Sequence, residues 1–149
     1  MERQTVEMLI DMAAAARHNA RVPLSGFHVG AALLTKNADV ITGCNAEQGN
    51  MYESICAERC ALTKAISLGY REFQAIAVVS DAEYPLAPCG LCRQALIDFG
   101  TELPVIMSNP KKDRVLIMTT GELMPAYDLA SSELTKALET WFDGKADDE

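Results

Sequence analysis

The chain has 149 residues, a formal net charge of −8, and 49% apolar against 23% charged residues. That length suits one domain with one core, and the apolar share is ordinary for a soluble globular protein. An acidic balance argues against a broad basic surface for a phosphate backbone, so a small neutral substrate is expected rather than nucleic acid.

Val6 to Asn19 carries apolar positions at helical spacing around the run Ala13-Ala14-Ala15-Ala16 and reads as a first helix. A loop follows at Val22-Pro23-Leu24-Ser25-Gly26. Phe27 to Thr35 is apolar and extended, Lys36-Asn37-Ala38-Asp39 is a turn, and Val40 to Cys44 is the return strand of a hairpin. Asn45 to Ser54 is a polar loop leading into a helix over Cys56 to Leu68, which Gly69 stops. Gln74 to Ser80 is a short continuous apolar run and reads as a strand buried on both faces. Asp81 to Pro88 is a loop, and Cys89 to Phe99 is a short helix ended by Gly100. Pro104 to Ser108 and Val115 to Thr120 are two more strands, and Ser131 to Phe142 is a last helix. Residues 1–142 are expected to form a single domain, and Asp143 to Glu149 a charged, disordered tail. A hairpin requires antiparallel pairing and a strand-helix-strand crossover requires parallel pairing. The expected architecture is an α/β fold, three-layer α/β/α, with a mixed sheet of about five strands.

No run of 18 apolar residues occurs, so no membrane-spanning helix is expected. Met1-Glu2-Arg3-Gln4 lacks the basic-then-apolar pattern of a leader, which makes the cytoplasm the expected location. The five cysteines are odd in number and clustered, and in a cytosolic chain this favours metal over a disulfide framework. Cys89-Gly90-Leu91-Cys92 can bite one ion from two points on a single turn. Cys56, 33 residues before Cys89, supplies a third thiolate and leaves the fourth tetrahedral position for water. Glu58 follows two residues later, close enough to stand beside a zinc ion without ligating it. This spacing resembles that of the zinc deaminases, down to the Pro88 before the Cys pair. Both clusters begin helices, whose positive ends favour thiolates. Three thiolates donate much negative charge, and Arg59 is the candidate to offset it.

These motifs resemble those of the small cytidine deaminases that act on free nucleosides. The likeness runs from about Ala16 to Pro125. It is densest in Phe27-His28-Val29-Gly30-Ala31-Ala32, Thr42-Gly43-Cys44-Asn45-Ala46-Glu47, Ile55-Cys56-Ala57-Glu58-Arg59 and Pro88-Cys89-Gly90-Leu91-Cys92-Arg93-Gln94. The resemblance implies one Zn2+ on Cys56, Cys89 and Cys92, with Glu58 as proton shuttle and Arg59 bonded to the thiolates. It also implies Asn45 and Glu47 on the ribose hydroxyls, Phe27 stacked near the base, and Ala57 against the substrate. It further implies a homotetramer whose sites are completed by neighbouring subunits. The residues suit these roles: Asn45 and Glu47 together offer donors and acceptors for a vicinal diol, and Phe27 a flat face.

The chain departs from the family pattern at His28, Arg21, Leu24, Met51 and Glu53, and Tyr127 fits a C-terminal aromatic position only loosely. An added imidazole and an added carboxylate near the substrate open the alternative of a modified pyrimidine nucleoside. A further alternative joins Cys60 to Cys56, Cys89 and Cys92 in a closed structural site, with Glu58 a solvated charge. Otherwise Cys44 and Cys60 are small buried apolar residues. The plainer, less favoured readings make Phe27 a core residue, Asn45 and Glu47 turn residues, and Arg59 a surface charge.

Overall fold

The computed structural model describes residues 1–125 and 127. The elements in chain order are α1 (Arg3–Arg17), β1 (Val29–Thr35), β2 (Val40–Cys44), a 3-10 turn (Met51–Glu53), α2 (Ala57–Ser67), β3 (Phe73–Ser80), α3 (Gly90–Ile97), β4 (Pro104–Ser108), β5 (Val115–Thr119) and α4 (Thr120–Leu123). The sheet has five strands in the order β2-β1-β3-β4-β5. The β1–β2 hairpin, β1–β3 and β4–β5 pair antiparallel, whereas β3 and β4, joined through α3, pair in parallel.

The strands alternate their side chains between two apolar layers, which is why β1 and β3 read as continuous apolar runs. Ala32, Leu34, Ala75, Ala77, Val79 and Ile106 meet Leu9, Ile10 and Ala13 of α1 on one face. Ala31, Leu33, Ile76, Val78, Val105 and Met107 meet Ala57, Ala61, Leu62 and Ala65 of α2 and Leu96 of α3 on the other. The result is the expected three-layer α/β/α arrangement with a mixed sheet.

Small residues set the distance between α2 and the sheet. A Cβ at Gly43 would collide with the main chain of α2 at Ala57 O and Ala61 N. Gly43 therefore lets the start of α2, which carries Cys56 and Glu58, lie directly on β2.

Several boundaries differ from expectation for identifiable reasons. α1 begins at Arg3 rather than Val6, because its first turn is polar and is braced by an Arg3–Glu7 ion pair that leaves no apolar period to read. β1 begins at Val29 rather than Phe27, because Phe27 and His28 are held by the side chains of Asn45 and Asp81. β5 stops at Thr119, which turns into the N-cap of α4 through a reciprocal capping box with Glu122. The expected helix over Ser131 to Phe142 and the tail lie outside the described residues. Among the described residues no helix is long and apolar enough to cross a membrane.

Replacing Gly43 by Ala forces α2 away from β2. The expected cost is roughly 2–3 kcal/mol of stability, as for other overpacked cores, with weaker retention of zinc. Urea denaturation with a zinc assay checks this, and an unchanged midpoint with full zinc content would contradict it.

Candidate active site

Cys56 and Cys89 occupy the same structural position on two helices. Each is an extended N-cap residue, at the start of α2 and α3 respectively, and neither side chain caps its own helix. Both thiols therefore stay available while the helix ends lend partial positive charge. Cys92 lies in the first turn of α3 and is fully buried. The three Sγ atoms lie within 4.8 Å of one another.

The donor set fits zinc. A tetrahedral ion with Zn–S bonds of about 2.3 Å separates its sulfurs by about 3.8 Å, and Cys56 Sγ lies 3.8 Å from Cys89 Sγ. Protonation tells the same story. Cys56 is held well below the ordinary thiol value, first by a hydrogen bond from Cys92, then by Arg59, against the opposing pull of burial. Cys92 is pushed far up, because it keeps the shared proton and is buried. Three thiols this close do not ionise together unless a cation joins them, and thiolate ligation favours zinc. Cys60 is not a member of the group. The Cys44 thiol, also outside the group, is raised first by burial and then by the charge of Cys60. The closed four-cysteine alternative thus lacks its fourth ligand.

Arg59 donates from Nη2 to Cys56 Sγ at 3.8 Å, so it is a thiolate partner rather than a free surface charge. Its buried Nε has no partner among the described residues.

A cavity of about 170 Å³ opens beside this cluster. Cys56, Cys89, Ala57 and Glu58 form its metal side, Asn45 and Ser80 add polar atoms, and Val29, Val78, Leu86 and Ala87 form apolar walls. Glu58 is only 5% exposed. Burial raises its carboxyl above the ordinary value, and the Cys56 charge pushes the same way. A buried carboxyl with a raised pKa is suited to take up and return protons.

The other expected residues divide. Asn45 lines the cavity, while its amide clamps the chain opposite: Oδ1 accepts from Val29 N–H at 2.8 Å and Nδ2 donates to Phe27 O at 2.9 Å. Glu47 is buried but lies off the cavity wall of the single chain. Its carboxylate accepts from Leu24 N–H at 2.9 Å, from Ser25 N–H at 3.1 Å and from the Ser25 hydroxyl. A carboxylate has about four acceptor sites, so roughly one remains for a ligand. Phe27 is half-buried and also off that wall. His28 is taken up by Asp81 and Glu53 is exposed in the 3-10 turn. Tyr127 donates to Asp98, at the end of α3 remote from the thiols.

Sequence reasoning missed the apolar walls and Ser80. Their signal was present but faint: Val29 and Val78 sit on the buried strands, Ser80 ends one of them, and Leu86-Ala87 immediately precedes Pro88-Cys89.

This fold and site define a zinc-dependent hydrolytic nucleoside deaminase. The family model described as the cytidine and deoxycytidylate deaminase zinc-binding region matches residues 3–108. A cytidine deaminase of Sporosarcina psychrophila is 45% identical over 121 residues, covering 80% of this chain and 88% of the relative. The crystal structure of a cytidine deaminase from Burkholderia pseudomallei superposes with a TM-score of 0.77 at 43% identity, covering 84% of this chain and 98% of that one. A Blasticidin-S deaminase of Bacillus cereus is more distant, at 33% identity over 66% of this chain and 74% of the relative. The chain belongs to the cytidine and deoxycytidylate deaminase family.

Glu47 links this site to acid stability. The Ser25 hydroxyl, with the Leu24 and Ser25 N–H groups, holds its pKa below the ordinary 4.5 against burial. A depressed folded-state pKa gives stability that is present above the unfolded value and is lost as pH falls through the folded one. Glu47→Gln is therefore expected to flatten the fall in urea midpoint between about pH 5 and pH 3. An identical acid-side slope in both proteins would contradict this.

Proposed function

We propose that this chain hydrolyses cytidine and 2′-deoxycytidine to the uridine products with release of ammonia. One observation carries the reading: a three-thiol cluster and a buried carboxyl, Glu58, share the wall of one cavity. Zinc, when bound, lowers the pKa of water toward about 7 and so provides a nucleophile at neutral pH.

The chain's own residues supply the rest. Glu58 accepts one proton of the attacking water and passes it to the ring nitrogen next to the reacting carbon; it then takes the remaining proton of the added hydroxyl and delivers it to the amino group, which leaves as ammonia while the carbonyl forms. Arg59 offsets thiolate charge that would otherwise make the ion a poorer acid. Val29, Val78, Leu86 and Ala87 exclude water from the base. In this reading Ala57 packs against the base, Phe27 borders it, and Asn45 with the remaining acceptor site of Glu47 receives the sugar hydroxyls.

The assembly proposed is a homotetramer. Leu24, Met51, Tyr52, Leu86 and Leu91 are exposed apolar side chains on the segments that build the site, with Tyr52 98% exposed. In this assembly a neighbouring copy covers these side chains and completes the site around Phe27 and Glu47. The proposed setting is pyrimidine salvage in the cytoplasm. All five cysteines are free, which suits a reducing compartment. The net charge of −8 supports a small neutral substrate over a polynucleotide. A modified pyrimidine is not favoured, since His28 is engaged by Asp81 and the Blasticidin-S deaminase likeness is the weaker one.

Glu58→Gln is expected to keep one zinc per chain and lose about 10³-fold or more of cytidine turnover, the scale of a lost general acid–base group. Ammonia release with parallel metal analysis checks it. Near-normal turnover in the variant would refute the mechanism.

A further inference from the structure

We propose that Asp81 is a positioning residue that fixes the width of the nucleoside cavity by clasping His28 and Arg17. The proposal rests on a pyrimidine nucleoside occupying that cavity. Asp81 Oδ2 accepts from His28 N–H at 2.8 Å and lies 2.7 Å from His28 Nδ1. Its Oδ1 accepts from Arg17 Nη1 at 2.9 Å. Its own N–H donates to His28 O at 3.0 Å. Main chain and side chain thus both grip His28, while Arg17 ties the last turn of α1 to the same carboxylate. Arg17 also donates to Ser80 O at 3.3 Å.

The place of this clasp gives it a function. Val29 and Ser80 are cross-strand partners on β1 and β3, and both line the cavity. Asp81 and His28 are the next residues out, so the clasp closes the ladder at the cavity's edge. The loop that starts at Asp81 carries Leu86 and Ala87, two more wall residues. On the opposite side, Asn45 holds Phe27 and Val29 through its amide. The segment 27–29 is therefore stretched between Asn45 and Asp81, and its position depends on both.

The sequence prepares the contact. A Cβ at Gly30 would strike the main chain of α1 at Ala13 O and Arg17 N. Only glycine lets α1 approach closely enough to deliver Arg17. The Arg17 side chain is 14% exposed against 33% for Asp81, so this ion pair is partly shielded from solvent. Burial alone would raise the Asp81 carboxyl, but the His28 and Arg17 donors outweigh it, and the group stays ionised. None of the three residues lines the cavity beside Glu58 and the thiols. Loss of the clasp should therefore weaken substrate binding and spare the chemical step.

The test uses the zinc-loaded enzyme with cytidine for kcat and KM, and uridine for a dissociation constant by calorimetry. Asp81→Asn keeps the shape but puts an amide where two donors converge. It is expected to raise KM and the uridine Kd about tenfold, with kcat within about threefold and one zinc retained. His28→Ala is expected to move the same constants in the same direction. His28→Asn, whose amide nitrogen can reach Asp81 as the imidazole does, is expected to restore them. The double variant Asp81→Asn with His28→Ala is expected to be little worse than Asp81→Asn alone, because the two act as one unit. Unchanged KM and Kd in both Asp81→Asn and His28→Ala, with only a lower Tm, would reduce the clasp to a structural brace and overturn the proposal. Should Asp81→Asn fail to fold, the two His28 variants decide alone. A wild-type protein that neither turns over cytidine nor binds uridine would instead refute the nucleoside reading itself.

Discussion

Charge repulsion among three thiolates is the constraint on which this molecule is organised. At about 4 Å and an effective dielectric of about 20, each pair of like charges costs roughly 4 kcal/mol, and all three Sγ atoms lie within 4.8 Å of one another. One guanidinium at 3.8 Å from Cys56 does not offset three such pairs. A divalent cation does. Two helices must bring their first residues to one point for that ion, and the sheet exists in this form to hold them there. Gly43 lets α2 lie on β2, and the parallel β3–β4 pair sets the course of α3.

Glu58 shows how the same crowding becomes chemistry. Its place in the first turn of α2, two residues after a ligand, buries it in the cavity wall. Water is withdrawn from it and negative charge is set beside it, and both raise its affinity for a proton. A carboxyl in an open loop would hold its proton too weakly to return it to a leaving amine. Arg59, one residue on, faces the thiolates from the same turn. In the proposed mechanism the three consecutive positions after Cys56 thus supply a wall, a proton carrier and a counter-charge.

The metal side of the site was legible in the sequence because its residues are close in the chain and begin elements. Cys56-Ala57-Glu58-Arg59 and Cys89-Gly90-Leu91-Cys92 carry their geometry in their spacing once each is known to start a helix. The strands were legible for a similar reason: β2 and β4 fall where the apolar runs and turn residues put them. What was illegible depends on side chains that meet across the fold. Nothing local announces that Asp81 closes on His28 and Arg17, or that Glu47 turns to Ser25 and leaves the cavity wall of the single chain. Those contacts join residues more than 20 positions apart; the Asp81–His28 contact, with Asn45 on Phe27, also explains why β1 starts two residues later than its apolar pattern suggests. α4 had a readable capping box in Thr119-Thr120-Gly121-Glu122, but four residues carry no helical period to draw attention to it.

The most direct test is the coordination of the ion. X-ray absorption at the zinc edge of the purified protein should give three sulfurs at about 2.3 Å and one oxygen or nitrogen at about 2.0 Å. That result would place three thiolates on the ion and leave one position for chemistry. Four sulfurs, with Cys60 drawn into the site, would close the centre and contradict the catalytic role assigned to it.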